Sequence, residues 1–148
     1  MENTFEALQI SAETQKALTA LNYTTPTQVQ EAVITTFAKG QDLLVKSQTG
    51  SGKTAAFAIS LLTNLNPRRF AVQAMVLCPT RELAEQVHAA FREYGAGLSV
   101  SSYAAYGGVS LNPQMMRMRR GVDVLVATPG RLIDLFTDRK STRLNSSH

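Results

Sequence analysis

The feature that most constrains this fold is a glycine-rich loop, residues 47–54, which joins two apolar runs. The run before it, residues 42–46, predicts a short buried strand, and residues 55–65 after it predict a helix. Further apolar runs alternate with helical patterns along the rest of the chain. Such alternation is typical of a parallel sheet covered by helices on both sides. The sequence therefore predicts an α/β fold.

The remaining elements follow from hydrophobic periodicity and from helix caps. Ser11 and Thr27 stand where helix N-caps are expected. Further helices are predicted over residues 11–21, 27–37, 80–94, 113–120 and from 130 to 136 onward. Further strands are predicted over residues 74–78, 98–106 and 122–127. Cys78 lies in one of these apolar strands, which indicates a buried structural thiol.

Composition narrows the class of protein. With 148 residues the chain is expected to form one domain. It has no run of about eighteen apolar residues and no secretory signal pattern at its start, and its single cysteine fits a reducing compartment. We therefore expect a cytoplasmic protein with no membrane partner. Three basic residues fall in segment 139–148, which contains no acid, so the net charge of +4 is mostly a property of this segment.

Segment 139–148 also lacks hydrophobic periodicity. We therefore expect one domain over residues 1–138, followed by a tail that is disordered or non-native. Because the charge is concentrated in this tail, net charge by itself says little about nucleic-acid binding.

The glycine-rich loop has the context of a P-loop, because it follows a strand and precedes a helix. Its amides and the helix N-terminus would face phosphate oxygens, Lys53 would reach the β- and γ-phosphates, and the Thr54 hydroxyl would bind Mg²⁺. A chance glycine-rich loop is the alternative. The motif indicates a nucleotide but no particular reaction. Its residues are Ser47, Gln48, Thr49, Gly50, Ser51, Gly52, Lys53 and Thr54.

Four further segments occur in a fixed order around this loop. Residues 23–30 (YTTPTQVQ) resemble the Q motif of DEAD-box RNA helicases, and residues 79–84 (PTRELA) resemble their motif Ia. Gly107-Gly108 is similar to their GG motif and residues 128–131 (TPGR) to their motif Ib. The resemblance covers residues 5 to about 136, and residues 66–79 look most like the bacterial dead-box protein A group. It implies a P-loop RecA-like three-layer sandwich with a mostly parallel sheet, truncated here.

The resemblance implies an ATP site. Gln30 would hydrogen-bond the adenine edge, Tyr23 would stack on the adenine, and Phe5 would brace this region. An amide carries both a donor and an acceptor, which suits that edge. Core packing is the alternative role for Tyr23 and Phe5. Asn22 stands where the family usually has glycine.

The resemblance also implies a sequence-independent RNA site. The expected residues follow strands or begin helices, at the edge of a parallel sheet where ligands bind. Backbone amides, hydroxyls and arginines there can hold phosphates and 2′-hydroxyls, with ribosomal RNA as one expected partner. For residues 80–82 the alternative is a helix cap with a surface salt bridge. The set is Pro79, Thr80, Arg81, Gly107, Gly108, Thr128, Pro129, Gly130 and Arg131.

The chain contains neither an Asp-Glu-Ala-Asp nor a Ser-Ala-Thr motif. In the family these motifs and a second RecA-like domain with arginine fingers follow, and later strands complete the sheet. We therefore expect a fragment of an ATP-dependent RNA helicase that is inactive alone, with strands 42–46 and 122–127 lacking neighbours. The alternative is a stand-alone nucleotide- or RNA-binding module. A P-loop kinase or GTPase does not explain Gln30, residues 80–82 and residues 128–131 together.

Overall fold

The computed structural model describes residues 4–38, 40–48, 50, 52–66 and 71–146, with side chains up to Thr137. A short 3₁₀ helix precedes six α-helices and three strands in these residues. In chain order the elements are the 3₁₀ helix Phe5–Ala7, α1 Ala12–Ala20, α2 Gln28–Phe37, α3 Lys53–Thr63, β1 Ala74–Leu77, α4 Arg81–Tyr94, β2 Ser102–Ala105, α5 Leu111–Arg119, β3 Val124–Ala127 and α6 Pro129–Ser146.

The sheet is parallel, with the order β1-β3-β2. Every residue of β3 is buried, as expected for a central strand of an α/β sheet. Leu77 of β1 and Ala105 of β2 both pair with Ala127, so the three strands end in register. The prediction of a parallel α/β sheet is confirmed, although β2 is shorter than the predicted 98–106.

The helix starts predicted at Ser11 and Thr27 are confirmed by their caps. The Ser11 side chain accepts a hydrogen bond from Thr14 N at 3.3 Å. Thr27 forms a reciprocal capping box with Gln30, in which each side chain accepts a hydrogen bond from the other residue's backbone N–H. Cys78 is buried as predicted, and burial raises the pKa of its thiol.

The chain forms two compact units, each built from two segments. The first comprises Met1–Pro67 and Ala89–Val100, and it contains α1, α2, α3 and the last residues of α4. Its buried residues include Leu18, Val33, Ile34, Ala58, Ile59, Leu62 and Phe91.

The second unit comprises Arg68–His88 and Ser101–His148 and contains the sheet. Its main cluster lies between one face of the sheet and helices α5 and α6. Partly buried residues of the two helices pack against it. The buried members are Ala105, Leu125, Ala127 and Leu135.

The predicted buried strand at residues 42–46 is wrong. This segment has no regular structure and all its residues are exposed, Leu44 to 88%. A strand forms only when its amides find partners in a neighbouring strand, and within the described residues none pairs with this segment. The segment is apolar in composition, but it is not buried as that composition predicts.

The expectation that the strand at residues 122–127 lacks neighbours is also wrong, because β3 pairs on both sides. The strands with a free edge are β1 and β2, each of which pairs only with β3 among the described residues. Met75 and Leu77 share the sheet face of Leu125 and Ala127, yet they are 51% and 56% exposed. The cover over this face thus stops before β1.

Helix α6 includes residues 139–146. The disordered or non-native tail expected over residues 139–148 stays a prediction. The domain boundary at residue 138 stays a prediction. Among the described residues, no helix combines the length and the apolar character that crossing a membrane requires.

Candidate nucleotide and RNA sites

The P-loop leads directly into α3, whose first residue is Lys53. Gly52 is the N-cap and has a φ of 87°, a left-handed conformation that favours glycine. The Lys53 ammonium donates a hydrogen bond to the Ser47 carbonyl at 2.7 Å, so its side chain folds back over the loop. Thr54 follows in the first helical turn and is half-buried. Two predicted members of the loop, Thr49 and Ser51, lie outside the described residues.

Gln30 connects the N-terminus of α2 to this loop. Its Oε1 accepts a hydrogen bond from Thr27 N at 2.9 Å, and its Nε2 donates one to the Gly52 carbonyl at 3.4 Å. The side chain is buried, and a Cβ on Gly52 would overlap with Gln30 Nε2. The close approach therefore requires glycine at position 52. The structure thus brings together the predicted adenine-binding residue and the predicted phosphate-binding loop.

The two aromatic residues predicted near the base differ in exposure. Phe5 is 2% exposed and is fastened through its backbone, with Phe5 N donating to Thr24 O at 3.1 Å. The burial of Phe5 agrees with core packing, the alternative role, and it agrees equally with the bracing role. Tyr23 is 47% exposed, with its ring centroid 6.3 Å from that of Tyr94. Burial, and then the neighbouring Tyr23, raises the pKa of Tyr94 to about 12.

Asn22 immediately precedes Tyr23 and has a φ of 62°. Asparagine is among the few residues other than glycine that adopt this left-handed conformation at little cost. Asn22 therefore forms the left-handed turn before Tyr23 without a glycine.

The residues predicted to bind RNA lie at the carboxyl edge of the sheet, where the three strands end in register. Pro79 follows β1, the glycine pair follows β2 and Thr128 follows β3. Thr128 is half-buried, and the other predicted residues except Arg131 are exposed. The exposed ones are Pro79, Thr80, Arg81, Gly107, Gly108, Pro129 and Gly130.

Arg81 belongs to a small polar cluster at this edge. Its guanidinium carbon lies 4.7 Å from the ring centroid of Tyr106, and its Nε lies 3.7 Å from Glu85 Oε1. The Tyr106 hydroxyl donates a hydrogen bond to the same Glu85 oxygen at 2.7 Å, which raises the pKa of Tyr106. Thr80 caps α4 by accepting from Leu83 N at 3.2 Å. The cap and the surface ion pair of the alternative interpretation are both present, although the acid is Glu85 rather than Glu82.

Arg131 behaves differently from the other predicted RNA-binding residues. Its side chain is only 11% exposed, and its guanidinium donates hydrogen bonds to Gln114 Oε1 at 3.2 Å and to Val109 O at 3.0 Å. The structure therefore does not place this guanidinium on the exposed surface with Arg81. Residues with several polar contacts that the sequence did not single out are Glu85, Tyr106, Gln114 and Asp123.

These missed residues left different traces in the sequence. Asp123 is an acid inside an otherwise apolar strand, which is a usable signal because a buried carboxylate needs partners. Tyr106 directly precedes the Gly107-Gly108 pair, and this position in the sequence is a signal of a role at the site. Gln114 lies in a helix with several polar residues, and nothing in the sequence separates it from them.

The family of this chain is shown by comparison with known proteins. The family model described as DEAD/DEAH box helicase matches residues 27–147. The chain belongs to the DEAD/DEAH box helicase family. A solved structure from Sulfolobus tokodaii, titled as that of a hypothetical ATP-dependent RNA helicase, matches with a TM-score of 0.77 and 34% sequence identity over 87% of this chain and 37% of that one. The RecA-like α/β fold implied by the resemblance is thereby confirmed.

Named relatives extend over nearly the whole chain. The chain is 40% identical over 146 residues to the RNA helicase CrhR of Synechocystis sp., covering 99% of this chain and 29% of that protein. It is 46% identical over 132 residues to the ATP-dependent RNA helicase DeaD of Mycobacterium tuberculosis, covering 88% of this chain and 23% of that protein. The chain thus spans less than a third of the length of these relatives. The narrower resemblance to the dead-box protein A group stays a prediction.

Proposed function

We propose that this DEAD/DEAH box helicase chain supplies part of the ATP-binding and RNA-binding machinery of an ATP-dependent RNA helicase that unwinds short duplexes. The observation that carries the proposal is the contact between Gln30 and Gly52. It joins the residue suited to an adenine edge to the loop suited to phosphates, within one compact unit. A P-loop by itself would leave the choice of base open.

The residues present fit ATP with Mg²⁺. The loop has a left-handed glycine at the start of a helix, and the amides and dipole of a helix N-terminus favour anions. Lys53 carries the positive charge for the β- and γ-phosphates, and the Thr54 hydroxyl is the Mg²⁺ ligand that the chain offers there. Gln30 and Tyr23 hold the base, Phe5 braces them, and Ser47, Gln48, Thr49, Gly50 and Ser51 complete the loop. Bound Mg²⁺ would neutralise the phosphate charge.

For RNA, the exposed groups at the carboxyl edge of the sheet suit backbone contacts. Arg81 offers a charge, and the Gly107-Gly108 pair and the start of α6 offer backbone amides. None of these groups reads a base edge, so binding would be independent of sequence. We include ribosomal RNA among the substrates because a relative from Meyerozyma guilliermondii is named ATP-dependent rRNA helicase RRP3.

One observation favours a narrower activity for these 148 residues taken alone. The chain has no Asp-Glu-Ala-Asp motif, so it lacks the carboxylates that the family uses for Mg²⁺ and water. Binding without turnover is therefore the second candidate function. The two candidates share their binding sites and differ in hydrolysis.

Nucleotide binding is tested by titrating the chain with a fluorescent ATP analogue in Mg²⁺ buffer. Lys53→Ala should weaken binding at least about tenfold, because it removes the charge beside the phosphates. Lys16→Ala, which removes an exposed lysine on α1, is the matched control and should leave binding unchanged. Equal affinities of the wild type and Lys53→Ala would contradict the proposed site.

RNA binding is tested by the salt dependence of binding to a short single-stranded uridine oligonucleotide. Each phosphate contact contributes about 0.7 to the slope of log K against log salt for single strands. Arg81→Ala should lower the slope by about that amount, whereas Arg92→Ala, an exposed arginine later on α4, should not. No detectable binding by the wild type would refute the RNA part of the proposal.

A further inference from the structure

A buried glutamine contacts the residue that precedes the Gly107-Gly108 pair. Gln114, in the first half of α5, is 4% exposed. Its Nε2 donates a hydrogen bond to the Tyr106 carbonyl at 3.1 Å, and its Oε1 accepts one from Arg131 Nη1 at 3.2 Å. The amide therefore joins the end of β2 to the start of α6 and uses both its donor and its acceptor to do so.

Arg131 extends this connection to the other side of the glycine pair. Its Nη2 donates a hydrogen bond to the Val109 carbonyl at 3.0 Å. The carbonyls of residues 106 and 109 are thus held by neighbouring side chains, and the two glycines lie between them. Gly108 has a φ of 84°, so the segment between the two held carbonyls turns through a left-handed residue.

The chemistry of the two side chains suits this task. A guanidinium presents several donors in a rigid fork, so one arginine can reach two acceptors in fixed directions. Asp134 Oδ2 lies 3.7 Å from Arg131 Nε and partly balances the charge. A lysine would keep the charge but could not reproduce the fork. An arginine meant for a phosphate in solution would not need these two inward contacts.

We propose that Gln114 and Arg131 are positioning residues, which together form a clamp that holds the Gly107-Gly108 pair in the conformation that receives the RNA backbone. In this role Arg131 acts through the loop and does not itself touch RNA. The existence of the clamp depends only on the contacts above, whereas its effect on RNA rests on the proposed function. The two can therefore be tested separately.

The clamp is tested without RNA by ¹⁵N relaxation of the Gly107 and Gly108 amides. The order parameter of a rigid backbone is about 0.85, and that of a flexible one is below about 0.6. Gln114→Ala and Arg131→Lys should both lower the order parameters of the two glycines toward the flexible range. Gln114→Glu, which keeps the acceptor for Arg131 but loses the donor to Tyr106, should give an intermediate value. The matched control is Gln86→Ala, which removes an exposed glutamine on α4.

Unchanged order parameters for Val124, Leu125 and Val126 in β3 establish that each variant is folded. If Gly107 and Gly108 keep their wild-type values in folded Gln114→Ala, Gln114→Glu and Arg131→Lys, the clamp is refuted. This result is independent of whether the wild type binds RNA.

The effect on RNA is tested with the uridine oligonucleotide across a salt series. Arg131→Gln and Gln114→Ala should each weaken binding about fivefold or more while the salt slope stays at the wild-type value. A slope lowered by about 0.7 in Arg131→Gln would show that this arginine contacts a phosphate directly, which overturns the assignment. Flexible glycines with unchanged RNA affinity would overturn the role of the clamp in binding. A wild type that binds no RNA would refute the proposed function and leave the clamp decided by relaxation alone.

Discussion

Replacing Asp123 should destabilise the sheet, because this buried carboxylate joins the beginnings of all three strands. Asp123 precedes β3 and is 7% exposed. Its Oδ1 accepts from Gln73 Nε2, just before β1, at 2.9 Å. Its Oδ2 accepts from the backbone N–H of Ser101, just before β2, at 3.0 Å and from the Ser101 hydroxyl at 3.3 Å. Asp123→Ala removes all three acceptor contacts.

The magnitude follows from these contacts. Hydrogen bonds to a charged group contribute about 1.5–3 kcal/mol each, and two of the three are short. Removing the carboxylate also removes the cost of burying its charge, which offsets part of the loss. We expect Asp123→Ala to lower the free energy of unfolding by about 2–4 kcal/mol. Asp123→Asn retains one oxygen acceptor and should cost about half as much.

The assay is urea unfolding followed by far-ultraviolet circular dichroism. Asp42→Ala, which removes an exposed aspartate outside regular structure, is the control and should change the free energy of unfolding by less than about 0.5 kcal/mol. If Asp123→Ala cost no more than this control, the carboxylate would not be joining the strands.

Three further outcomes are expected. The double substitution Met75→Lys and Leu77→Lys should reduce self-association in sedimentation experiments, because charge on the edge strand β1 opposes edge-to-edge pairing. A wild type that is monomeric at all concentrations would contradict this. The 148-residue chain should hydrolyse no ATP above background, with or without RNA, and RNA-stimulated phosphate release would refute this. The pKa of Tyr94 is raised from 10.0 to about 12, so the folded state disfavours its phenolate. The thermal stability of the wild type should therefore fall as the pH rises from about 10 to 12. Tyr94→Phe should lose less thermal stability over the same pH range.

The elements that the sequence predicted correctly depend on local signals. Ser11 and Thr27 cap helices because their hydroxyls accept from amides three residues later, a relation contained within one turn. The start of α3 after the glycine-rich loop is also a local feature, because its N-cap is Gly52 in a left-handed conformation. The prediction of a strand at residues 42–46 is wrong because an apolar run shows only that a segment could be buried. Whether a neighbouring strand exists is a property of the whole sheet.

The site was predicted from motifs, and its internal contacts were not. The motifs assigned Gln30 and the P-loop to one ATP site and the RNA-binding segments to one edge of the sheet. They did not show that Arg131 turns inward, because this depends on where Gln114 and the Val109 carbonyl lie in space. The two hydrogen-bond partners of Arg131 lie 17 and 22 residues away along the chain, and no spacing rule anticipates such contacts.

The most direct test of the account is the ratio of ATP to GTP affinity in the wild type and in Gln30→Glu. Glutamate retains the acceptor for Thr27 N, so the capping box remains, while both N–H donors of the amide are lost. The wild type should prefer ATP, and Gln30→Glu should lose most of this preference, at a cost of about 1–3 kcal/mol for the unmatched adenine edge. A Gln30→Glu variant that keeps the wild-type ratio would contradict the account, because Gln30 would then have no part in choosing the base.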